Sequence, residues 1–453
     1  MSDALPIPPH PDLEQYKKRA KELVKICKSG DHEALRAWVT EWIESLVNIH
    51  NLDMALPRDG DLAVTSDEID FQVKRTLKRI TKHVSVTDPP IPGASTLAHA
   101  QLVIAREHSF ASWPKFAKQL QELAHANSAV SVFESAVDAI VSGDLSLLER
   151  LLVEHPELAK ARSTREHRST LLHYVSANGV EDFRQKTPTN IVAIAKRLLD
   201  AGADVNAESD AYGGRSTTLG LTATSCHPQA AGVQLTLLDL LIEHGAMIDG
   251  PDGRSVVNAC LHNGRGKAAQ FLASRGARLD LEGAAGVGRL DIVKGFFGED
   301  NRLKPPATQK QMAAGFGWAC EFGQTAVVEF LLQAGIDVGA NRCPQDRETG
   351  LHWAAFEGHA DIVRLLLDRG APVDVRDKIH DGTPLDWALY GWGASGRKAE
   401  LSAYFEVVAL LARAGAKLEP KWYESDSERL RALKKVQADA RMAAALRGET
   451  VSI

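Results

Sequence analysis

Long apolar runs are missing from this sequence: none approaches the ~18 residues that a helix needs to cross a bilayer. Between Met1 and Pro11 there is no basic segment followed by an apolar stretch, so no secretory signal is read there. Cysteine is scarce. Cys27, Cys226, Cys260, Cys320 and Cys343 are odd in number, scattered and without a C-x-x-C pair. That argues against a disulfide framework and a structural zinc site, and fits a reducing cytoplasm. Neither sign of charge dominates, with 53 Lys and Arg against 59 Asp and Glu and a net charge of −6. So mild a balance speaks against nucleic acid or an anionic membrane as the main partner.

Several chemical signatures are also absent. G-x-x-x-x-G-K-[ST], G-x-S-x-G and H-E-x-x-H do not occur. GWGASG (Gly391 to Gly396) fits G-x-G-x-x-G by letters, but it follows a helix rather than a strand and is rejected as a nucleotide site. Neither Cys260 with His262 nor Cys226 with His227 forms a recognised ligand set, so neither a metal nor a cofactor is expected.

What the chain does contain is a period. An apolar helix end, a Gly and a short polar turn recur as LLDAGADV, LIEHGAMI, LASRGARL, LLQAGIDV, LLDRGAPV and LARAGAKL. Their glycines are Gly202, Gly245, Gly276, Gly335, Gly370 and Gly415, where a helix must end in a left-handed residue. The longest step hides a degenerate unit, LEGAAGVGRLDIVKGFF. Upstream of these ends lies a second phrase, TGLHWAAFEGHADIVRLLL from Thr349, TPLDWAL from Thr383 and STLLHYVSANG from Ser169.

These phrases resemble the ankyrin repeat, with its T-P-L-H-x-A signature and a period of about 33 residues. The match is specific at Thr349 to Asp377 and weaker elsewhere. The phrases LAHAQLVIAREHSFASWPKF, LLHYVSANGVEDFRQKTPTN and YGGRSTTLGLTATSCHPQAAGVQ are similar to a group of bacterial ankyrin-repeat proteins for which no activity is implied. The resemblance implies an all-α solenoid of about eight units with an N-terminal helical cap. The expected layout is a helical segment at 1–88, a capping helical pair at 94–127, repeats over 130–420, and a C-terminal capping helix and tail at 424–453. Helices are expected at Leu13 to Lys28, His32 to Leu46, Ser66 to Val84 and Ser427 to Arg447, with Ser112 as an N-cap and DPPIPG (Asp88 to Gly93) as a boundary.

Three units depart from the short inter-helix turn of a generic repeat. They carry NGVEDFRQKTPTN, CHPQAAGVQ and LYGWGASGRKAELSAYFE. The first two are adjacent in the stack and offer Arg184, Lys186, His227 and Gln234, with Tyr212 in the turn between them. A polar or anionic ligand held by Arg184 and Lys186 is one reading; satisfied contacts between helices are the other. His227, with Tyr212 as partner, is the best acid/base candidate if the chain is an enzyme. His173 and His352 hold the His position of the repeat phrase, where the side chain braces a turn. The x position beside that His gives Tyr174, Leu221, Ala259, Gly283, Trp318, Trp353 and Trp387 in stack order. Bulk at both ends and a gap between would make an aromatic-walled pocket for a ring, a sugar face or a cation; packing between repeats is the alternative.

The leading expectation is a cytoplasmic recognition module. It would bind a protein or a small polar or aromatic ligand in the concave groove of the array, with His173, Tyr174, Arg184, Lys186, Gln234, Trp318, Trp353 and Trp387 as contacts. The alternative is a cofactor-independent hydrolase, lyase or isomerase built on His227 and Tyr212.

Overall fold

The computed structural model describes residues 4–8, 11–50, 66–84, 96–250, 253–342, 346–394, 401–418, 423 and 427–450. Cys343, the DPPIPG boundary and the end of GWGASG lie outside them. The chain divides into two compact units, 1–254 and 255–453. It is an all-α repeat array; among the described residues strand is confined to short turns between repeats.

The first unit begins with α1 (Leu13–Ser29), α2 (His32–His50), α3 (Ser66–Val84), α4 (Leu97–Glu107) and α5 (Trp113–Leu123). The Asp12 carboxylate caps α1 by accepting from Glu14 N at 2.8 Å, and Gly30 ends it in the left-handed region. Ser112 occupies the N-cap of α5 without a side-chain cap bond; Pro114 stands in the first turn. These helices share a core of Tyr16, Trp42, Ile43, Ile80, Ile104, Phe110 and Phe116. Two arginines of α3 are used inside the protein: Arg75 pairs with Asp182 at 3.2 Å and Arg79 with Glu107 at 2.5 Å.

Three helix pairs follow in the same unit: α6 (Ala129–Ser142) with α7 (Leu145–Glu154), α8 (Leu171–Tyr174) with α9 (Ile191–Asp200), and α10 (Thr218–Thr224) with α12 (Gln234–Glu243) after the short α11 (His227–Ala230). Strands β1 (Glu208–Ser209) and β2 (Ser216–Thr217) pair in the finger before α10.

The second unit holds five more pairs: α13 (Val256–His262) with α14 (Gly266–Ser274), α15 (Leu281–Gly286) with α16 (Leu290–Gly295), α17 (Gln309–Glu321) with α18 (Thr325–Gln333), α19 (Gly350–Phe356) with α20 (Ala360–Asp368), and α21 (Pro384–Ala394) with α22 (Leu401–Arg413). First helices stack on first helices and second on second. The C-terminal cap is two helices rather than one, α23 (Ser427–Ala438) and α24 (Ala440–Leu446). Asp439 breaks them because its carboxylate accepts from the N–H groups of Arg441 and Met442 and starts a new helix.

All six repeat-end glycines adopt positive φ, from 80° at Gly370 to 98° at Gly415. Each leucine doublet divides its roles. Leu148, Leu152, Leu198, Leu241, Leu331 and Leu366 are buried, while Leu151, Leu199, Leu240, Leu332 and Leu365 are half-buried. Neighbours on a helix lie about 100° apart, so only one of two can face the next repeat squarely.

Candidate functional site

The long loop of the second repeat turns inward. Arg184, on the single turn Asp182–Arg184, is buried and donates to Glu134 Oε2 at 2.5 Å and Asp138 Oδ1 at 2.8 Å on α6. Beside it Glu181 is fully buried and pairs with Arg165 of the first finger; His167 Nε2 lies 3.5 Å and Arg184 Nη1 3.7 Å from its Oε1. Burial pushes the Glu181 carboxyl up, but Arg165, His167 and Arg184 outweigh it and hold it well below the usual carboxylate range. For Arg184, burial works against the charge, and Glu134, Asp138 and Glu181 more than restore it. Arg165 also donates to the His108 carbonyl at 2.9 Å and lies over the Phe110 ring. The knot therefore ties the first three elements of the array to the helices before them.

Two other nominated residues of these repeats are equally engaged. His173 Nδ1 lies 2.8 Å from Thr170 Oγ1 and accepts from Thr170 N at 3.1 Å, while Nε2 donates to the Ser216 carbonyl at 3.2 Å. Burial lowers its pKa to about 4, so the ring is neutral near pH 7. Gln234 Nε2 donates to the carbonyls of Thr222, Ala223 and Ser225 at 3.0–3.1 Å, closing the end of α10. These are turn and helix-end braces. Tyr174 has no exposed surface, and burial raises its hydroxyl pKa well above normal.

The remaining three lie nearer solvent. Lys186 is exposed and His227, at the start of α11, is half-buried. Tyr212 is 63% exposed at a φ of 51°, and its hydroxyl donates to Asn178 Oδ1 at 2.6 Å. Asn178 in turn donates to Leu221 O at 3.0 Å and Thr224 Oγ1 at 3.1 Å. Tyr212 is thereby tied to the end of α10, from which the chain leads to His227, whereas Arg184 is drawn the other way, to α6. Among the described residues no group of three His, Cys, Asp or Glu could hold a metal ion.

In the second unit the aromatic row holds a cation, and the cation belongs to the chain. Arg342 lies between two indoles, its guanidinium carbon 3.7 Å from the Trp318 ring centre and 3.9 Å from that of Trp353. It pairs with Glu321, and Glu348 lies 3.8 Å away. A planar guanidinium suits such a slot, stacking on both rings while its edge meets carboxylates. Burial raises Glu321 to about 7 against the pull of Arg342. Trp318 is 5% exposed and donates Nε1 to Glu282 Oε1 at 2.9 Å. Trp353 keeps partial exposure and meets Trp387 edge-on at 5.0 Å. At Gly283, in the expected gap, a Cβ would stand 2.7 Å from Asn258 Oδ1. Small residues let the helices approach there.

The finger before α21 is closed by a single carboxylate. Asp377 Oδ1 accepts from Ile379 N at 2.9 Å and His380 N at 2.6 Å; its Oδ2 accepts from Gly382 N at 2.9 Å and Trp387 Nε1 at 3.0 Å. His352 completes it, with Nδ1 on Thr349 and Nε2 donating to the Gly382 carbonyl at 3.2 Å. Arg342 and Asp377 were not singled out from sequence. Both lie in finger turns, where no helical period says which side chain folds back over the helices. The one signal for Arg342 is Gly317, beside Trp318: a Cβ there would stand 2.3 Å from Arg342 Cγ.

A family model for ankyrin repeats in three copies matches residues 281–377 and, in a second overlapping match, 316–421. Residues 281–421 of the chain are thus ankyrin repeats. Curated relatives resemble the ankyrin chain over short stretches. A palmitoyltransferase of Eremothecium gossypii is 34% identical over 106 residues, 23% of this chain and 14% of the relative. A palmitoyltransferase of Drosophila melanogaster is 38% identical over 98 residues, 22% of this chain and 13% of the relative. An E3 ubiquitin-protein ligase of Caenorhabditis elegans is 43% identical over 72 residues, 16% of this chain and 2% of the relative. The chain thus spans only a small fraction of the curated relatives it matches. Among solved structures, the human ASB11 ankyrin repeat domain aligns with a TM-score of 0.31 at 20% identity, covering 60% of this chain and 96% of that one. No helix among the described residues is long and apolar enough to cross a membrane.

Proposed function

We propose that this ankyrin chain recognises a protein partner, and that the recognition surface is the finger and first-helix face of α19 and α21. One observation carries the reading. The finger braced by Asp377 presents Ile379 60% exposed at its tip. Behind it, His380 lies 5.9 Å from Trp387, which packs edge-on against the half-buried Trp353. A rigid apolar tip backed by indoles is the composition of an interface hot spot, because little side-chain freedom is lost on binding. A small cationic ligand is less well served, since Arg342 fills the slot between Trp318 and Trp353. A reducing, cytoplasmic setting suits cysteines that are few, scattered and odd in number.

The test is selection of binders from a displayed random-peptide library against the immobilised full chain, followed by affinity measurement on variants. Trp353→Ala is expected to weaken the selected binders by about 2 kcal/mol or more, and Ile379→Asp to a similar degree. Binders unaffected by both changes would move recognition elsewhere.

A further inference from the structure

The first unit carries a cleft of about 880 Å³ between α5 and the first finger, residues 162–168. Its size is that of a site for several residues of chain, in the ordinary range for ligand pockets. Four cations surround it: Lys115 and Lys118 on α5, Arg162 and Arg168 on the finger. All four are exposed. Lys115 and Lys118 are three positions apart, so they project from one face of the helix.

The pairing of charges sets these four apart. In the same unit Arg75, Arg79, Arg165, Arg184 and Arg197 each meet a carboxylate. Among the described residues, none of the four cleft cations does. Arg162 donates only to backbone carbonyls, those of Arg168 at 2.9 Å and Glu208 at 2.7 Å, so its charge is not neutralised. Three acids also line the cleft, Glu122, Glu166 and Asp210, and leave these four unpaired. Arg165 contributes to the floor, but Glu181 already balances it.

The walls do not have to form on binding. The finger is pinned by Glu166 N donating to Ser109 O at 3.1 Å and by Asp210 N donating to His167 O at 2.8 Å. Beneath it, Thr164 Oγ1 donates to Gln119 Oε1 at 2.6 Å, and Gln119 is held by Glu134. Unpaired cations on a fixed frame leave only their own side chains, not the backbone beneath them, to be ordered when an anionic chain binds. The lining contains no aromatic residue, so a nucleic acid would find no platform for its bases. Thr164, exposed at the cleft, keeps a hydroxyl oxygen that can accept from a peptide N–H.

We propose that this cleft binds an Asp- and Glu-rich segment of a partner protein. It is separate from the surface of α19 and α21 and does not depend on that reading.

The experiment titrates the full chain with a fluorescein-labelled synthetic peptide of alternating Glu, Asp and Gly, followed by anisotropy. Parallel titrations use a labelled single-stranded oligonucleotide and the double variant Lys115→Glu/Lys118→Glu. The single variant Arg168→Glu is also tested, as is Lys78→Glu on α3 as a control of equal charge change away from the cleft. All are exposed positions, and circular dichroism confirms the fold of each. Binding of the peptide, lost by roughly tenfold or more in both cleft variants and weakened by salt, with Lys78→Glu unchanged, is the expected result. Absence of peptide binding overturns the proposal. So does equal loss in Lys78→Glu, which would mean diffuse attraction. Tighter binding of the oligonucleotide through the same residues would replace it with a nucleic-acid site.

Discussion

Asp377 Oδ2 accepts the indole N–H of Trp387 at 3.0 Å across a turn of ten residues. The same carboxylate takes three backbone N–H groups, so one side chain closes the finger and fixes the aromatic helix behind it. Burial would raise its pKa, but the hydrogen bonds hold it below the ordinary value. Asp377→Ala is expected to cost about 3 kcal/mol, because buried donors lose a charged acceptor. Urea unfolding monitored by tryptophan fluorescence measures this as a lower midpoint. An unchanged midpoint would show that the finger is held by other bonds.

Arg342 is the other centre of that unit. Removing it leaves two indoles without a filler and the buried Glu321 without its cation. Arg342→Ala is expected to destabilise by about 3–5 kcal/mol, as for breaking a buried ion pair. Arg342→Lys should recover only part, because an ammonium cannot stack on two faces at once. Thermal unfolding of both variants tests the order; equal melting temperatures for Lys and Arg would remove the stacking contribution.

Burial lowers His352 from 6.5 to about 4. The unfolded state therefore takes up the proton first, and the stability present above pH 6.5 is lost as the pH falls toward 4. Glu321 has the opposite sign. It is raised from 4.5 to about 7, so its contribution is present below 4.5 and lost as pH rises through about 7. The comparison must therefore be between parent and variant. His352→Gln is expected to flatten the fall in melting temperature between pH 6.5 and 4 relative to the parent. Parallel curves would mean that His352 is not the titrating group.

Glu181 is surrounded by Arg165, His167 and Arg184 with no surface of its own. Glu181→Ala is expected to cost about 3–5 kcal/mol, since two buried arginines lose their shared partner. Hydrogen exchange is the discriminating measurement. Protection should fall in α4 and α5 as well as in residues 178–190, and loss confined to the loop alone would refute the link to the N-terminal helices.

Gly391 lies against the seventh repeat: a Cβ there would stand 2.3 Å from the Phe356 carbonyl oxygen. Gly393 is close to Ala432, its Cβ position 2.8 Å from that of the alanine. These two glycines of GWGASG serve helix approach. Gly391→Ala, meeting backbone rather than a flexible side chain, is expected to cost about 1–3 kcal/mol or more. A chemical-denaturation curve matching the parent would show that the helices can part at no cost.

The repeat architecture was legible because its signals are local. A left-handed glycine, a capping Thr and the His three residues after it are each fixed by the backbone of one turn. The bracing role of His352 was legible for the same reason; His173, expected also as a ligand contact, makes the same bonds. The long loops were visible as departures, but not their direction. Whether Arg184 points out to a ligand or in to Glu134 depends on residues 50 positions apart, which no local pattern encodes. The aromatic row was also readable in register; its occupant was not, because Arg342 comes from a finger and packs by tertiary contact. The helix starts read at Leu13, His32, Ser66 and Ser427 are those observed, whereas the one cap read, Ser112, makes no side-chain cap bond. The C-terminal helix was split by Asp439, a cap that competes with helix continuation.

The buried knot in the first unit also sets an order of events during synthesis. Arg165 reaches back 57 positions to the His108 carbonyl, and Asp182 reaches back 107 to Arg75. On the ribosome, α1 to α5 emerge long before the loop that fastens them. The N-terminal helices are therefore the first part of this unit to be made and among the last to be secured, so a nascent chain halted before Arg184 exposes them without their fastening.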